Sequence, residues 1–139
     1  MAVAKWTTPS TRSSNIASTV INSIATGSET AVVTYDNSTN RNLYGAVTLK
    51  LGTFGTATVS GGSVSLRVTL SDGTDTADKL AGDVYTAQVT ASTTAKVVVF
   101  PMIRLYPFSL RFSIINNTGQ TTASSGNELY VTPYNEEVT

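Results

Sequence analysis

Residues Phe100 to Gly119 read FPMIRLYPFSLRFSIINNTG, and their spacing decides the fold. The stretch is the most apolar in the chain, and its second half has a period of two. Phe108, Leu110, Phe112 and Ile114 point one way, while Ser109, Arg111 and Ser113 point the other. That is the pattern of a half-buried β-strand with its large side chains in a core. Pro101 and Pro107 frame the first half. Proline has no amide to donate, so each belongs at a strand start, an edge or a bend. Asn116-Asn117-Thr118-Gly119 then ends the strand with a turn signal.

The same period recurs on both sides. Ser63 to Ser71 is the cleanest case, with Val64, Leu66, Val68 and Leu70 inward against Ser65, Arg67 and Thr69. Leu43 to Leu51 places Leu43, Val47, Leu49 and Leu51 inward, and Gly45 interrupts that row as a bulge or a close approach. Further strands run from Glu29 to Tyr35, Val84 to Ala91, Ala95 to Phe100 and Glu128 to Tyr134. Phe54, in the Gly- and Thr-rich connection after Leu51, plugs the end of the core. Residues 15–27 stay open between a short helix and an irregular first strand. Ile16, Val20, Ile21 and Ile24 share a helical face, but β-branched residues form helices poorly.

Seven strands at this spacing, with an eighth candidate near the N-terminus, predict an all-β antiparallel sandwich. A jelly roll is the first choice and an immunoglobulin-like sandwich the second. Residues 1–14 read as a polar arm outside a single domain, 15–139. Trp6 is the exception on that arm, and it packs either on its own domain or on a neighbouring subunit.

Composition narrows the chemistry. With 139 residues and 40% hydrophobic content the chain can bury one core. Charged residues are only 13%, and roughly forty serines and threonines fill their place. The nine basic residues are scattered and the net charge is zero, which argues against nucleic acid. There is no cysteine, hence no disulfide or thiol chemistry, and no histidine, hence no Ser-His-Asp arrangement. No apolar run has the length of a membrane span. The first residues lack the apolar core of a signal peptide, so the expectation is synthesis in the cytoplasm without a cleaved export signal.

Three clusters carry candidate chemistry. Asp72, Asp75, Asp78 and Asp83 offer hard oxygens of the kind calcium takes, without EF-hand spacing; the plainer reading is a solvated loop. Glu29, Asp36, Glu128 and the acidic loop could supply a glycosidase pair, but nothing in the sequence brings two of them together in an apolar pocket. Tyr44, Tyr106 and Tyr130 fall out of phase with the core and could stack on sugar rings or on a subunit. Asn37-Ser38-Thr39 and Asn116-Asn117-Thr118 match the glycosylation pattern. No catalytic residue, cofactor or metal is expected.

Several segments carry a family resemblance. They are Tyr35-Asp36-Asn37-Ser38-Thr39 leading to Leu43-Tyr44, Ser71-Asp72-Gly73-Thr74-Asp75, Phe108 to Gly119, and Ser125-Gly126-Asn127-Glu128-Leu129-Tyr130 running to Glu137. In these the chain resembles small virion proteins of tailed bacteriophages, in particular head decoration (cement) proteins of jelly-roll type. The resemblance implies a non-enzymatic protein of the capsid surface, often trimeric, that binds the major capsid protein and clamps neighbouring subunits. A carbohydrate-binding module or a tail- or fibre-associated domain is the alternative. The side chains placed at the interface are Trp6, Arg12, Arg104 and Tyr106.

Overall fold

The computed structural model describes residues 2–17 and 19–139. In chain order its strands are β1 (Ala4–Trp6), β2 (Ser28–Glu29), β3 (Val33–Asp36), β4 (Tyr44–Leu51), β5 (Ser63–Thr69), β6 (Asp83–Gln88), β7 (Lys96–Arg104), β8 (Ser109–Asn117), β9 (Glu128–Tyr134) and β10 (Glu136–Val138). One turn of 3-10 helix, Lys79–Ala81, precedes β6. Every strand pairing is antiparallel.

Two sheets face each other. One has the order β2-β8-β5-β6, with β3 beside β8 as well; the other has the order β7-β4-β9. Their inner rows meet in one core. Val64, Leu66 and Val68 of β5 and Leu110, Phe112 and Ile114 of β8 pack towards Val47, Leu49 and Leu51 of β4 and Leu129 and Val131 of β9. The protein is therefore an all-β antiparallel sandwich, as the period of two predicts. Phe54 is buried at its end.

The opening stretch crosses between the layers. Its first half completes β7 in one sheet, and its second half is β8 in the other. Pro101 lies inside β7, which is tolerated because β7 is an edge strand. The register passes from Val47↔Phe100 to Gly45↔Ile103, so Pro101 and Met102 together oppose Ala46 in a bulge. Gly45 allows this close packing. A Cβ there would lie 3.0 Å from Val131 and 3.1 Å from Leu105.

The N-terminal arm is where the structure departs most from the sequence reading. Residues 7–16 do not lie outside the fold; they run antiparallel along the free edge of β9. The amides of Thr7, Ser10, Ser13 and Ile16 donate to the carbonyls of Asn135, Pro133, Val131 and Leu129 at 2.8–2.9 Å. Side chains answer the opposing amides. Asn15 Oδ1, Ser13 Oγ and Thr7 Oγ1 accept from Leu129, Val131 and Asn135 at 3.0, 2.9 and 3.0 Å. Pro133 has no amide to satisfy, and Ser10 supplies no acceptor there. The arm thus advances three residues for every two of β9, a period that the strand test does not detect.

Counting the arm as the first of eight strands, the pairings are nested. The arm pairs β9, β3 pairs β8, β4 pairs β7 and β5 pairs β6. The outermost pair continues past the sandwich as a ribbon of β1 and β10, with Ala4↔Val138 and Trp6↔Glu136. Its second strand, β10, is built from Glu136 to Val138 at the end of the chain.

Three local expectations are corrected. Residues 15–27 form neither helix nor a first strand, apart from the position of Ser18, which lies outside the described residues. They make successive turns that seat Ala17, Ile21 and Ile24 in the core. Leu43 faces out, because the inward row of β4 begins at Gly45. Phe108 is half-buried ahead of β8, with its ring against Gly73. Gly73 has φ +95°, and a Cβ there would lie 3.0 Å from that ring, so the contact needs glycine.

Candidate functional site

The outer face of the β7-β4-β9 sheet brings Trp6, Val97, Val99 and Met102, all exposed, around a pair of tyrosines. Tyr134 and Tyr44 are directly paired across β9 and β4, and their rings stack with centroids 5.6 Å apart. Trp6 reaches back from the ribbon and stands edge-on to both, at 5.5 Å from Tyr44 and 5.4 Å from Tyr134. The Tyr134 hydroxyl crosses the sheet and donates to the Pro101 carbonyl at 2.8 Å. Burial, with a smaller contribution from Tyr44, holds that phenol above its ordinary pKa. Trp6, Thr7, Pro9, Pro101, Met102 and Tyr134 line an open groove of about 420 Å³. Trp6 remains 53% exposed and Met102 51% exposed, so this aromatic cluster is packed without being covered. Val97 and Val99 extend the apolar surface along β7.

The proposed interface residues divide in two. Trp6, Arg12 and Arg104 all lie on this side of the molecule. Arg12 sets its guanidinium 3.8 Å from the Tyr130 ring centroid, a cation–π contact that fastens the arm. Arg104 ends β7 in the same cross-strand row as Tyr44 and Tyr134. Tyr106 does not join them. It packs against the core, and its carbonyl accepts from Asn37 Nδ2 at 2.8 Å. Tyr134 and Met102 are not singled out by the sequence, whereas Pro101 does lie on an edge strand, one of the places expected for it. Tyr134 was assigned to the last strand without a face, although its spacing of four from Tyr130 puts both on one side.

The acidic loop serves its own backbone. Asp72 Oδ1 accepts from the amides of Asp75 and Thr74 at 2.8 Å each, and both bonds hold its pKa below the ordinary value. Asp78 Oδ1 caps the 3-10 turn by accepting from Leu80 at 2.8 Å. Among the described residues no three potential ligands of the Asp, Glu, His or Cys kind come together. The two asparagines of the glycosylation pattern are fully buried and spent. Asn37 Nδ2 donates to Asn42 and Tyr106, and Asn116 Nδ2 donates to Ile24 and Gln120.

Of the candidate carboxylates, Glu29 is the one built into a cluster. It sits on the outer face of the other sheet. Its Oε1 accepts from Arg67 Nε and Ser113 Oγ, each at 2.7 Å, and Lys79 Nζ lies 3.4 Å from Oε2. Burial opposes its charge, but those two hydrogen bonds and the charges of Lys79 and Arg67 outweigh it and hold its pKa below the ordinary value. Asp36 binds the Ser38 amide at 2.8 Å, and Glu128 pairs with Lys50 at 3.6 Å. Lys96 is a further site that the sequence did not signal. It is buried, and its amine donates to the hydroxyls of Thr90 and Ser92. Among the described residues no helix is long and apolar enough to cross a membrane.

No protein-family model matches this chain, and no curated protein matches it.

Proposed function

We propose that this chain is a non-enzymatic structural protein of a tailed-bacteriophage head, a decoration or cement protein that binds the outside of the capsid and steadies contacts between major capsid protein subunits. The reading joins the family resemblance to the shape of the fold. The nested pairing, arm with β9, β3 with β8, β4 with β7 and β5 with β6, favours a jelly roll over an immunoglobulin-like sandwich. It is one long antiparallel hairpin rolled into two sheets, an architecture common in viral shells.

The observation that carries the role is the terminal ribbon. Every described residue from 2 to 6 and from 136 to 139 is exposed. The ribbon leans on the sandwich through Trp6 and leaves its remaining length and its edges to solvent. A two-stranded ribbon is marginal alone, so this one is suited to adding its edge to a neighbouring capsid subunit. Many weak copies on one shell then act through avidity.

The test is co-sedimentation of the purified chain with heads that lack it, followed by removal of residues 1–5. Capture by intact protein and about tenfold weaker capture by the truncation, at unchanged melting temperature, is the expected result. Failure of the intact protein to co-sediment at any salt concentration sinks the proposal.

The exposed aromatics favour a carbohydrate-binding module as the second reading. Sugar platforms present ring faces, however, and here Tyr44 and Tyr134 stack on each other while Trp6 stands at 89° and 86° to them. A glycan array with hits that disappear in Tyr134→Ala would reinstate that reading.

A further inference from the structure

We infer that the outer face of the β7-β4-β9 sheet is a two-fold contact between copies of this chain. The inference is independent of the capsid reading. It rests on the charges that flank the aromatic cluster. Arg104, Tyr44 and Tyr134 form one cross-strand row. Glu136 pairs Trp6 directly across the ribbon, so both side chains share a face, and the Trp6 ring lies against Tyr44 and Tyr134. The patch therefore runs from a cation at one corner, through Tyr44, Tyr134 and Trp6, to an anion at the other.

Neighbouring charges on this side are already engaged: Lys5 with Glu137 at 3.2 Å, Lys50 with Glu128 at 3.6 Å, and Arg12 over the Tyr130 ring at 3.8 Å. Among the described residues Arg104 and Glu136 have no ion-pair partner. One lone positive and one lone negative charge, set on opposite sides of a single apolar centre, make the patch complementary to itself. A two-fold axis in the plane of contact, crossing the aromatic cluster, places each Arg104 over Glu136 of the other copy. It also closes the apolar centres on one another, which is the isologous arrangement. Tryptophan, tyrosine, methionine and arginine at the centre with charge at the rim is the usual anatomy of such contacts. The chain's zero net charge adds no long-range repulsion between copies.

Sedimentation velocity on the full chain across a concentration series tests this without any capsid. The wild type sediments as a dimer. Arg104→Glu and Glu136→Arg each set like charges face to face and weaken the dimer roughly a hundredfold. The double swap Arg104→Glu with Glu136→Arg restores it, which a merely structural role for either residue would not do. Both residues are exposed, so their melting curves stay those of the wild type; should either variant melt early, Met102→Glu on the same face replaces it and gives the same loss. A wild type that is monomeric at roughly millimolar concentration leaves the face to a different protein and overturns the inference. So does a trimer, or a single swap that leaves the dimer intact.

Discussion

The outward faces of the two sheets are built from the same alternation and end in opposite surfaces. On the β3-β8-β5-β6 sheet most outward residues are polar and several answer one another, although Val84 and Ile115 share that face and Thr69 Oγ1 is buried without a partner. Glu29 takes hydrogen bonds from Arg67 and Ser113, and Ser65 meets Thr86 at 2.8 Å. Ser65, Thr69 and Ser113 are buried although they point away from the core. On the β7-β4-β9 sheet the outward residues include Trp6, Val97, Val99 and Met102, all more than half exposed. One face is knit by an ion-paired hydrogen-bond cluster around Glu29, and the other is left with a continuous aromatic and apolar surface. A period of two says which residues point outward. What the outward residues find there decides whether a face is finished or open to a partner.

The largest expected effect lies beneath both faces. Phe112 is fully buried between them, so Phe112→Ala removes a shared foundation and costs about 3–5 kcal/mol in urea denaturation. A loss below about 1 kcal/mol would mean that the core is not continuous between the sheets.

Next in size is the face knit around Glu29. Glu29→Gln leaves Arg67, with only 12% of its side chain exposed, facing a neutral group. The expected cost is about 2–3 kcal/mol, below that of a fully buried pair because Glu29 and Lys79 keep some water. The sign of the pH dependence follows from the lowered pKa. The Glu29 contribution is complete above its unfolded value, about 4.3, and disappears as the pH falls through the lower folded value. Wild type therefore loses more stability than Glu29→Gln as the pH falls through that window. Parallel curves in the two proteins would remove Glu29 from the acid transition.

The third effect tests the arm. Asn15 Oδ1 accepts from both Ala17 and Leu129 amides. Asn15→Ala leaves the Leu129 amide unpaired at a buried edge, and should cost about 1–2 kcal/mol. Hydrogen exchange at Leu129 should rise with it. Unchanged protection there would show that the arm lies on β9 without closing it.

The arm also marks the boundary of what the residues disclose before folding. Alternation found β4, β5, β8 and β9 because large and small side chains alternate there between core and outside. It missed residues 7–16 because that segment buries little and is held by amides and hydroxyls, with Thr7, Ser10, Ser13 and Ile16 three apart. Leu43 and Phe108 fall inward only when a good pattern is extended one residue too far, since each lies just before the start of its strand. Residues 15–27 resisted because Ile21 and Ile24 are anchored by turns, which have no period. The aromatic cluster was half visible: Trp6, Tyr44 and Arg104 stood out singly, but only the pairing of chain ends brings Trp6 onto Tyr44 and Tyr134.

The smallest stability effect belongs to the open face, and it sharpens the contrast most. Met102 is half exposed in the bulge beside Pro101 and lines the groove under Trp6. Met102→Ser removes apolar surface that water already reaches, so the folded monomer should change by no more than about 0.5 kcal/mol. On the face knit around Glu29 a single polar substitution costs several times that. The same Met102→Ser change should nonetheless weaken self-association clearly, because the lost surface is covered only in the pair. Denaturation and sedimentation read these two quantities separately in one variant. A variant that loses stability without losing association would make Met102 part of the fold and make the two faces alike. The opposite result assigns the apolar surface to contact between chains, which is the difference that the two faces of this sandwich display.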